Sequence, residues 1–351
     1  MVVGKDTNRL LRKQDLVHIA TLLTIALGIG VYLIATSVLI CEDGTYYIKW
    51  ARRFSSDPIR VIKGHAFGYM LLIFTGHKLA TLFCEESSVY TWVYTAQSVT
   101  LLCRLLALIP LYFIGKFFVG GKRSFWAILI LIMLPYPARF GSDTMREWPH
   151  MLFLATGFLF LLWGSKYGKW WAFGLVGLFT GLGYLIRVEC VQLIVYGILW
   201  LVASLFFAGR NMSRAKLLLA MVLLVTGFAA AGGWVIGLQE HILSPKLETF
   251  IHSLAAGESK FEGAVEVNYT AHTQMQLAKV APDGCVCWLA VKGFVRVMEK
   301  ITENLMYFFV VPLAIGIFSQ FRKRRLTAVP HLYMAVFVLL NVVMLLFLYR
   351  C

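Results

Sequence analysis

Apolar residues in this chain do not alternate; they run in long blocks broken by short clusters of charge. Blocks of about 17–25 apolar residues match the length a helix needs to cross a bilayer. The pattern predicts spans near 17–40, 92–115, 124–138, 150–164, 171–186, 190–208, 217–238, 305–320 and 330–349. Several are short, which implies a thinned or irregular slab. The stretch 66–83 is also apolar, but His77 and Lys78 interrupt it, so it reads as an amphipathic helix lying on or dipping into the outer surface. The expected fold class is an all-α polytopic membrane protein of about nine transmembrane helices, with amphipathic outer-surface helices in the first outer loop. No tandem repeat, low-complexity linker or inverted repeat with broken helices is evident.

Composition supports this class. The 351 residues are 59% hydrophobic and 15% charged, with mean hydropathy +0.74, more apolar surface than a soluble fold of this length can bury. The same figures exclude disorder, a disulfide framework and a collagen-like chain. A net charge of +15 suggests nucleic acid in a soluble protein; in a membrane chain it belongs to basic cytoplasmic loops, and no nucleic-acid partner is expected.

The basic clusters orient the chain. Lys5, Arg9, Arg12 and Lys13 precede the first span; Lys116, Lys122 and Arg123 follow the second; Lys166 and Lys169 follow the fourth. Arg210, Arg214 and Lys216 follow the sixth, and Arg322, Lys323, Arg324 and Arg325 the eighth. With a cytoplasmic N-terminus all five fall inside; counting 66–83 as a span would put the later ones outside. The first apolar run is too long for a signal peptide and lacks a small-x-small cleavage site. The organisation expected is a transmembrane module over 1–238 that includes outer loop 41–91, an extracytoplasmic loop over 239–304, and a C-terminal transmembrane hairpin over 305–351. Inner loops of a few residues hold no catalytic domain, so any chemistry belongs to the outer face.

Polar residues gather there in three places. Glu42 and Asp43 stand where the first span ends; Asp43 reads either as the N-cap of the stretch Tyr46–Phe54 or as a general base at the membrane boundary. Arg139, Ser142, Asp143, Arg146 and Glu147 lie between the third and fourth spans. The four-residue spacings Arg139–Asp143 and Asp143–Glu147 share a face on a helix, giving either a surface ion network or a site. Arg187 and Glu189 interrupt two apolar runs almost without a loop. Charges at such depth face a polar cavity or one another, and the donor fork of Arg fits a phosphate. Arg104, inside the second span, lines the same cavity or snorkels. His65 precedes the apolar surface helix and is either a packing or a functional residue. No HExxH, Walker A loop or helix-opening GxGxxG occurs. Cys285-x-Cys287 is a weak metal signal or a disulfide of an oxidising compartment, and Asn268-Tyr269-Thr270 is a glycosylation sequon only in a eukaryotic host.

Taken in order, these clusters resemble the GT-C superfamily of integral-membrane glycosyltransferases, in particular the branch of protein O-mannosyltransferases and aminoarabinose transferases that uses polyprenyl-phosphate sugars. The resemblance rests on Glu42-Asp43-Gly44 with Tyr47 and Ala51, then His65, Gln97-Ser98-Val99, Ile109-Pro110-Leu111-Tyr112 with Gly115-Lys116, Ser142-Asp143 with Glu147, and Tyr184-Leu185-Ile186-Arg187-Val188-Glu189. It covers roughly residues 1–210. It implies an outward-opening site where a lipid-linked sugar enters from the bilayer and a protein, lipid or glycan hydroxyl arrives from water. The family's catalytic acid matches Asp43, with Glu42 beside it. The phosphate-binding cations would be Arg187, Arg104 and Arg146; His65, Tyr47, Asp143, Glu147 and Glu189 would orient the base, sugar or acceptor. No cofactor is assigned, and a divalent metal stays open because related oligosaccharyltransferases bind one with acids of these loops. A bacterial inner membrane is favoured over the endoplasmic reticulum. Family members continue through further spans, so the chain is expected to be a minimal member or a truncated frame. The rival readings are a transporter or flippase of lipid phosphates or lipid-linked sugars, and a structural assembly subunit.

Overall fold

A computed structural model describes residues 13–36, 41–64, 66–83, 88–206 and 212–238, and every regular element among them is helical. The expected loop 239–304, the spans at 305–320 and 330–349, and His65 lie outside the described residues. Five helical stretches are long and apolar enough to cross a membrane: α1 (Lys13–Thr36), α5 (Val89–Val119), α8 (Glu147–Tyr167), a stretch Val188–Leu205 made of a 3-10 turn and α10 (Gln192–Phe206), and a stretch Arg214–Ile236 made of α11 (Arg214–Phe228), a π-helical turn and α12 (Trp234–Ile236). Two further legs are shorter, α6 (Gly121–Met133) and α9 (Ala172–Tyr184), each about 20 Å at 1.5 Å per residue.

Side-chain contacts fix the direction of each leg. Asp15 near the start of α1 pairs with Lys116 near the end of α5, and Gly30 packs against Leu101, so these two helices run antiparallel. Arg104 lies by Trp148 and Phe117 by Lys166, so α5 and α8 run parallel, with α6 returning between them. Helix α9 then reverses against α8, Phe173 lying on Gly164 and Gly183 on Phe153. At the Asp15 end two connections tighten at glycines with positive φ, Gly120 (87°) between α5 and α6 and Gly168 (64°) after α8, a conformation that favours glycine. The predicted span 124–138 is two helices rather than one. Leu134 is extended, with ψ of 130°, before α7 (Pro135–Phe140), because a proline disfavours helical geometry in the residue ahead of it.

A buried polar chain closes the Asp15 end. The Asp15 carboxylate accepts from Lys116 Nζ at 2.6 Å and from the Tyr112 hydroxyl at 2.9 Å, and His18 Nδ1 meets that hydroxyl at 3.0 Å. At the opposite end, residues 42–80 form three short helices, α2 (Glu42–Arg53), α3 (Pro58–Gly64) and α4 (Gly68–Ala80). Asp57 accepts from the Arg60 amide at 3.1 Å ahead of Pro58, a cap followed by proline in the first turn. Helix α4 is 13 residues long, the length of α6 and α9. It buries Tyr69, Met70, Ile73 and His77 against α2 and α5 while Lys78 and Leu79 stay exposed.

Candidate functional site

The site is assembled at the end of the bundle away from Asp15. Helix α2 opens at Glu42, with Cys41 in the N-cap position and its carbonyl accepting from the Gly44 amide at 2.8 Å. Asp43 therefore does not cap a helix starting at Tyr46. It lies exposed in the first turn of α2 beside Glu42, where the positive helix end favours a carboxylate. The extended backbone of Cys41 lets the helix begin two residues ahead of where a capping Asp43 would place it.

The second cluster is not a shared helical face either. Helix α7 stops at Phe140 and α8 starts at Glu147, so Asp143 and Glu147 belong to different elements. Asp143 is buried in the intervening turn. Its carboxylate accepts from its neighbour Thr144 N at 2.7 Å and, over a long 3.5 Å, from Cys41 N. That contact ties the second cluster to the root of α2. Arg139 is exposed and pairs with no carboxylate among the described residues. Arg146 sits 6.0 Å over the Tyr47 ring, and it too has no ion pair among the described residues.

Arg187 reaches the same place from the turn after α9. It lies 3.6 Å from Glu147 and 3.1 Å from Glu189, with a second bond from Nε to Glu189 at 3.4 Å. The two charges at 187 and 189 thus face one another. Burial works against the Arg187 charge, but Glu189 and then Glu147 more than offset it and hold its pKa above the ordinary value. Beside them the Cys190 thiol meets His150 Nδ1 at 3.2 Å. Sequence reasoning missed both residues, although Cys190 adjoins Glu189 and His150 stands one helical turn from Glu147.

Tyr47 is the common neighbour. Its pKa is pushed up to about 12 by burial, with Arg146 and Arg187 opposing the rise and Asp43 and Glu147 adding to it. It therefore remains a hydrogen-bond donor among two cations and two carboxylates. Its ring meets Tyr69 edge-on at 5.1 Å, and the Tyr69 hydroxyl bonds Thr100 at 2.7 Å. Among the described residues four buried oxygens have no partner: Glu147 Oε2, Tyr184 Oη, Gln97 Oε1 and Thr144 Oγ1. Buried polar atoms are ordinarily bonded, so the free oxygen of Glu147, beside Arg187, is an acceptor open to a ligand's hydroxyl. Arg104 is placed differently. It is fully buried, donates to the Ile132 and Ala138 carbonyls at 3.2 and 3.4 Å and lies over Trp148, closing the ends of α6 and α7 rather than joining the other charges.

Glu147 stands about 28 Å along α8 from Lys166 at 1.5 Å per residue, close to the thickness of a hydrocarbon core. A bilayer with Lys166 at one boundary of its hydrocarbon core would have Glu147 near the other. Among the described residues, no three His, Cys, Asp or Glu side chains come together in a way that could hold a metal ion. Compared with protein-family models, curated proteins and solved structures, the chain matches none.

Proposed function

We propose that the protein is a membrane glycosyltransferase that moves a sugar from a polyprenyl-phosphate donor to an acceptor hydroxyl at the extracytoplasmic boundary of the bilayer. The observation that carries this reading is the meeting of three distant segments around Tyr47, Asp143 reaching the Cys41 amide at the root of α2, Arg146 lying over the Tyr47 ring, and Arg187 reaching Glu147. A lipid phosphate and a water-borne hydroxyl meet only at the boundary of a bilayer, the depth proposed for this cluster.

In this mechanism Asp43, exposed and electrostatically coupled to Tyr47, accepts the acceptor's proton while its oxygen attacks the anomeric carbon. The bond from that carbon to the phosphate oxygen breaks, configuration inverts, and polyprenyl phosphate leaves with the electron pair. Arg146 has no carboxylate partner among the described residues and takes the departing phosphate. Arg187, already flanked by Glu147 and Glu189, positions those carboxylates toward sugar hydroxyls. The carrier alternative draws on Arg104 and Arg187 as charges within the bundle, and the enclosure of Arg104 by two carbonyls and Trp148 supports a packing role for that residue.

The test is transfer of labelled sugar from a polyprenyl-phosphate donor by the purified full chain. Wild type is expected to transfer, while Asp43→Asn binds donor and loses turnover by about a hundredfold or more, as for loss of a general base. Full turnover in Asp43→Asn removes that residue as base. Donor binding without turnover in wild type points to a carrier.

A further inference from the structure

Two contacts join the start of α8 to the segment that follows α9. Glu147 Oε1 lies 3.6 Å from the Arg187 guanidinium, and one turn further along α8 His150 Nδ1 lies 3.2 Å from the Cys190 thiol. Glu189, next to Cys190 in the chain, closes the group by its own pairing with Arg187 at 3.1 Å. Glu147 and His150, three apart on a helix, therefore share the face of α8 turned to residues 187–190. The ion pairs account for Glu147, Arg187 and Glu189. They leave the thiol–imidazole pair without a role.

The surroundings of that pair decide where its protons sit. Cys190 is fully buried, wedged where a Cβ on Gly183 would touch its sulfur. A thiol shut away from water stays protonated, so the pair is a neutral thiol and a neutral ring rather than a thiolate and an imidazolium. Among the described residues the thiol's one hydrogen-bond partner is His150. Were the ring proton on Nδ1, it would donate to sulfur, a weak acceptor, and the buried S–H would bond nothing. With the lone pair on Nδ1, the S–H donates to it and no buried donor is left over. The ring proton is then on Nε2. That nitrogen bonds nothing else among the described residues, and the ring is only half-buried. One turn away, Glu147 Oε2 is buried and also without a partner there. A neutral donor and a carboxylate acceptor thus stand on one helical face. A hydroxyl answers both, since it donates and accepts, whereas an ionised phosphate diester only accepts.

We propose that His150 is a ligand-binding residue of the site, donating from Nε2 to a sugar hydroxyl, and that Cys190 positions it by fixing the ring proton there. That the sugar is lipid-linked rests on the transferase reading; the tautomer does not. Arg146 and His150 then divide the donor between them, the phosphate on the cation and a sugar hydroxyl on the neutral ring and Glu147.

The test is nitrogen NMR of the full chain in detergent with isotope-labelled histidine rings, the His150 signal being the one lost in His150→Gln. At neutral pH wild type is expected to show an uncharged ring protonated on Nε2. Cys190→Ser, whose hydroxyl also donates, should keep that pattern, and Cys190→Ala should mix the two tautomers. A ring protonated on Nδ1, an imidazolium, or an unchanged pattern in Cys190→Ala each overturn the pair. Polyprenyl-phosphate mannose, glucose and arabinose are then added in turn. At least one should shift the Nε2 signal, and sugar-free polyprenyl phosphate should not. No shift with any of the three, or an equal shift with the bare phosphate, overturns the hydroxyl contact. In the transfer assay His150→Asn should raise the donor concentration for half-saturation about tenfold, as for loss of one neutral hydrogen bond. His150→Gln, whose amide nitrogen reaches nearer the place of Nε2, should recover most of that loss. A sugar-dependent shift without turnover in wild type sets aside the transferase reading and leaves the hydroxyl contact standing.

Discussion

At the scale of single residues, Tyr47 shows how burial sets chemistry. It is 7% exposed, and its neighbours include both cations and carboxylates, so desolvation decides the direction of its shift. The phenol titrates near 10 in an unfolded chain and at about 12 here. Folding stability linked to this group is therefore complete below about pH 10 and lost as pH rises toward 12, because the unfolded state releases its proton first. The loss is on the order of 2–3 kcal/mol at one pKa unit per about 1.4 kcal/mol. Alkaline unfolding of the detergent-solubilised protein, followed by circular dichroism, should be less steep in Tyr47→Phe than in wild type across that window. Equal steepness would mean that the phenol is not buried among these charges. The same variant removes a donor from the proposed site, so its transfer rate and its alkaline profile should change together.

At the scale of elements, close helix approach is what the glycines secure. Helices α9 and α11 touch backbone to backbone: a Cβ at Gly177 would meet the Leu224 carbonyl, one at Gly181 the Gly232 amide and Phe228 carbonyl, and one at Gly227 the Gly174 carbonyl. A Cβ at Gly174, by contrast, would meet only Leu223 side-chain and backbone atoms at 3.6 Å or more, an ordinary contact. Opposite outcomes follow from the same substitution one turn apart. Gly174→Ala gains up to about 1 kcal/mol of helix propensity, whereas Gly177→Ala loses about 1–3 kcal/mol to overpacking against a backbone that cannot yield. Thermal melts of the two variants in one detergent separate the cases, and equal melting temperatures would contradict this crossing. Elements were also where the sequence was most readable. The apolar runs predicted between 17 and 238 fall on helices, five of them long and apolar enough to cross a membrane, because an uninterrupted apolar run has few alternatives to a helix. The irregular turn 141–146 was not readable: a four-residue spacing of charges fits a helix and a turn equally well. Nor was the meeting of Asp143 with Cys41, since contact between segments a hundred residues apart leaves no periodic trace.

At the scale of the whole molecule, alternating helix directions divide the charges between two ends. The Asp15–Lys116 end also takes Lys122 and Arg123 at the start of α6, Lys166 at the close of α8, and Arg214 and Lys216 at the start of α11. The other end takes the site and the six cations from Lys49 to Lys78, which a simple count of basic loops sets against the first group. Their setting distinguishes them. The first group lies in connections of a few residues beside helix ends, where positive charge resists translocation; the second lies on the short helices α2, α3 and α4. The orientation signal therefore belongs to the first group, and the Asp15–Lys116 end should be cytoplasmic. In a cysteine-free background, Arg60→Cys should react with a membrane-impermeant maleimide on intact cells, and Lys122→Cys only after permeabilisation. The reverse pattern would turn the molecule over. The charges around Tyr47 would then face the cytoplasm, where a donor and acceptor meeting at the outer boundary could not reach them.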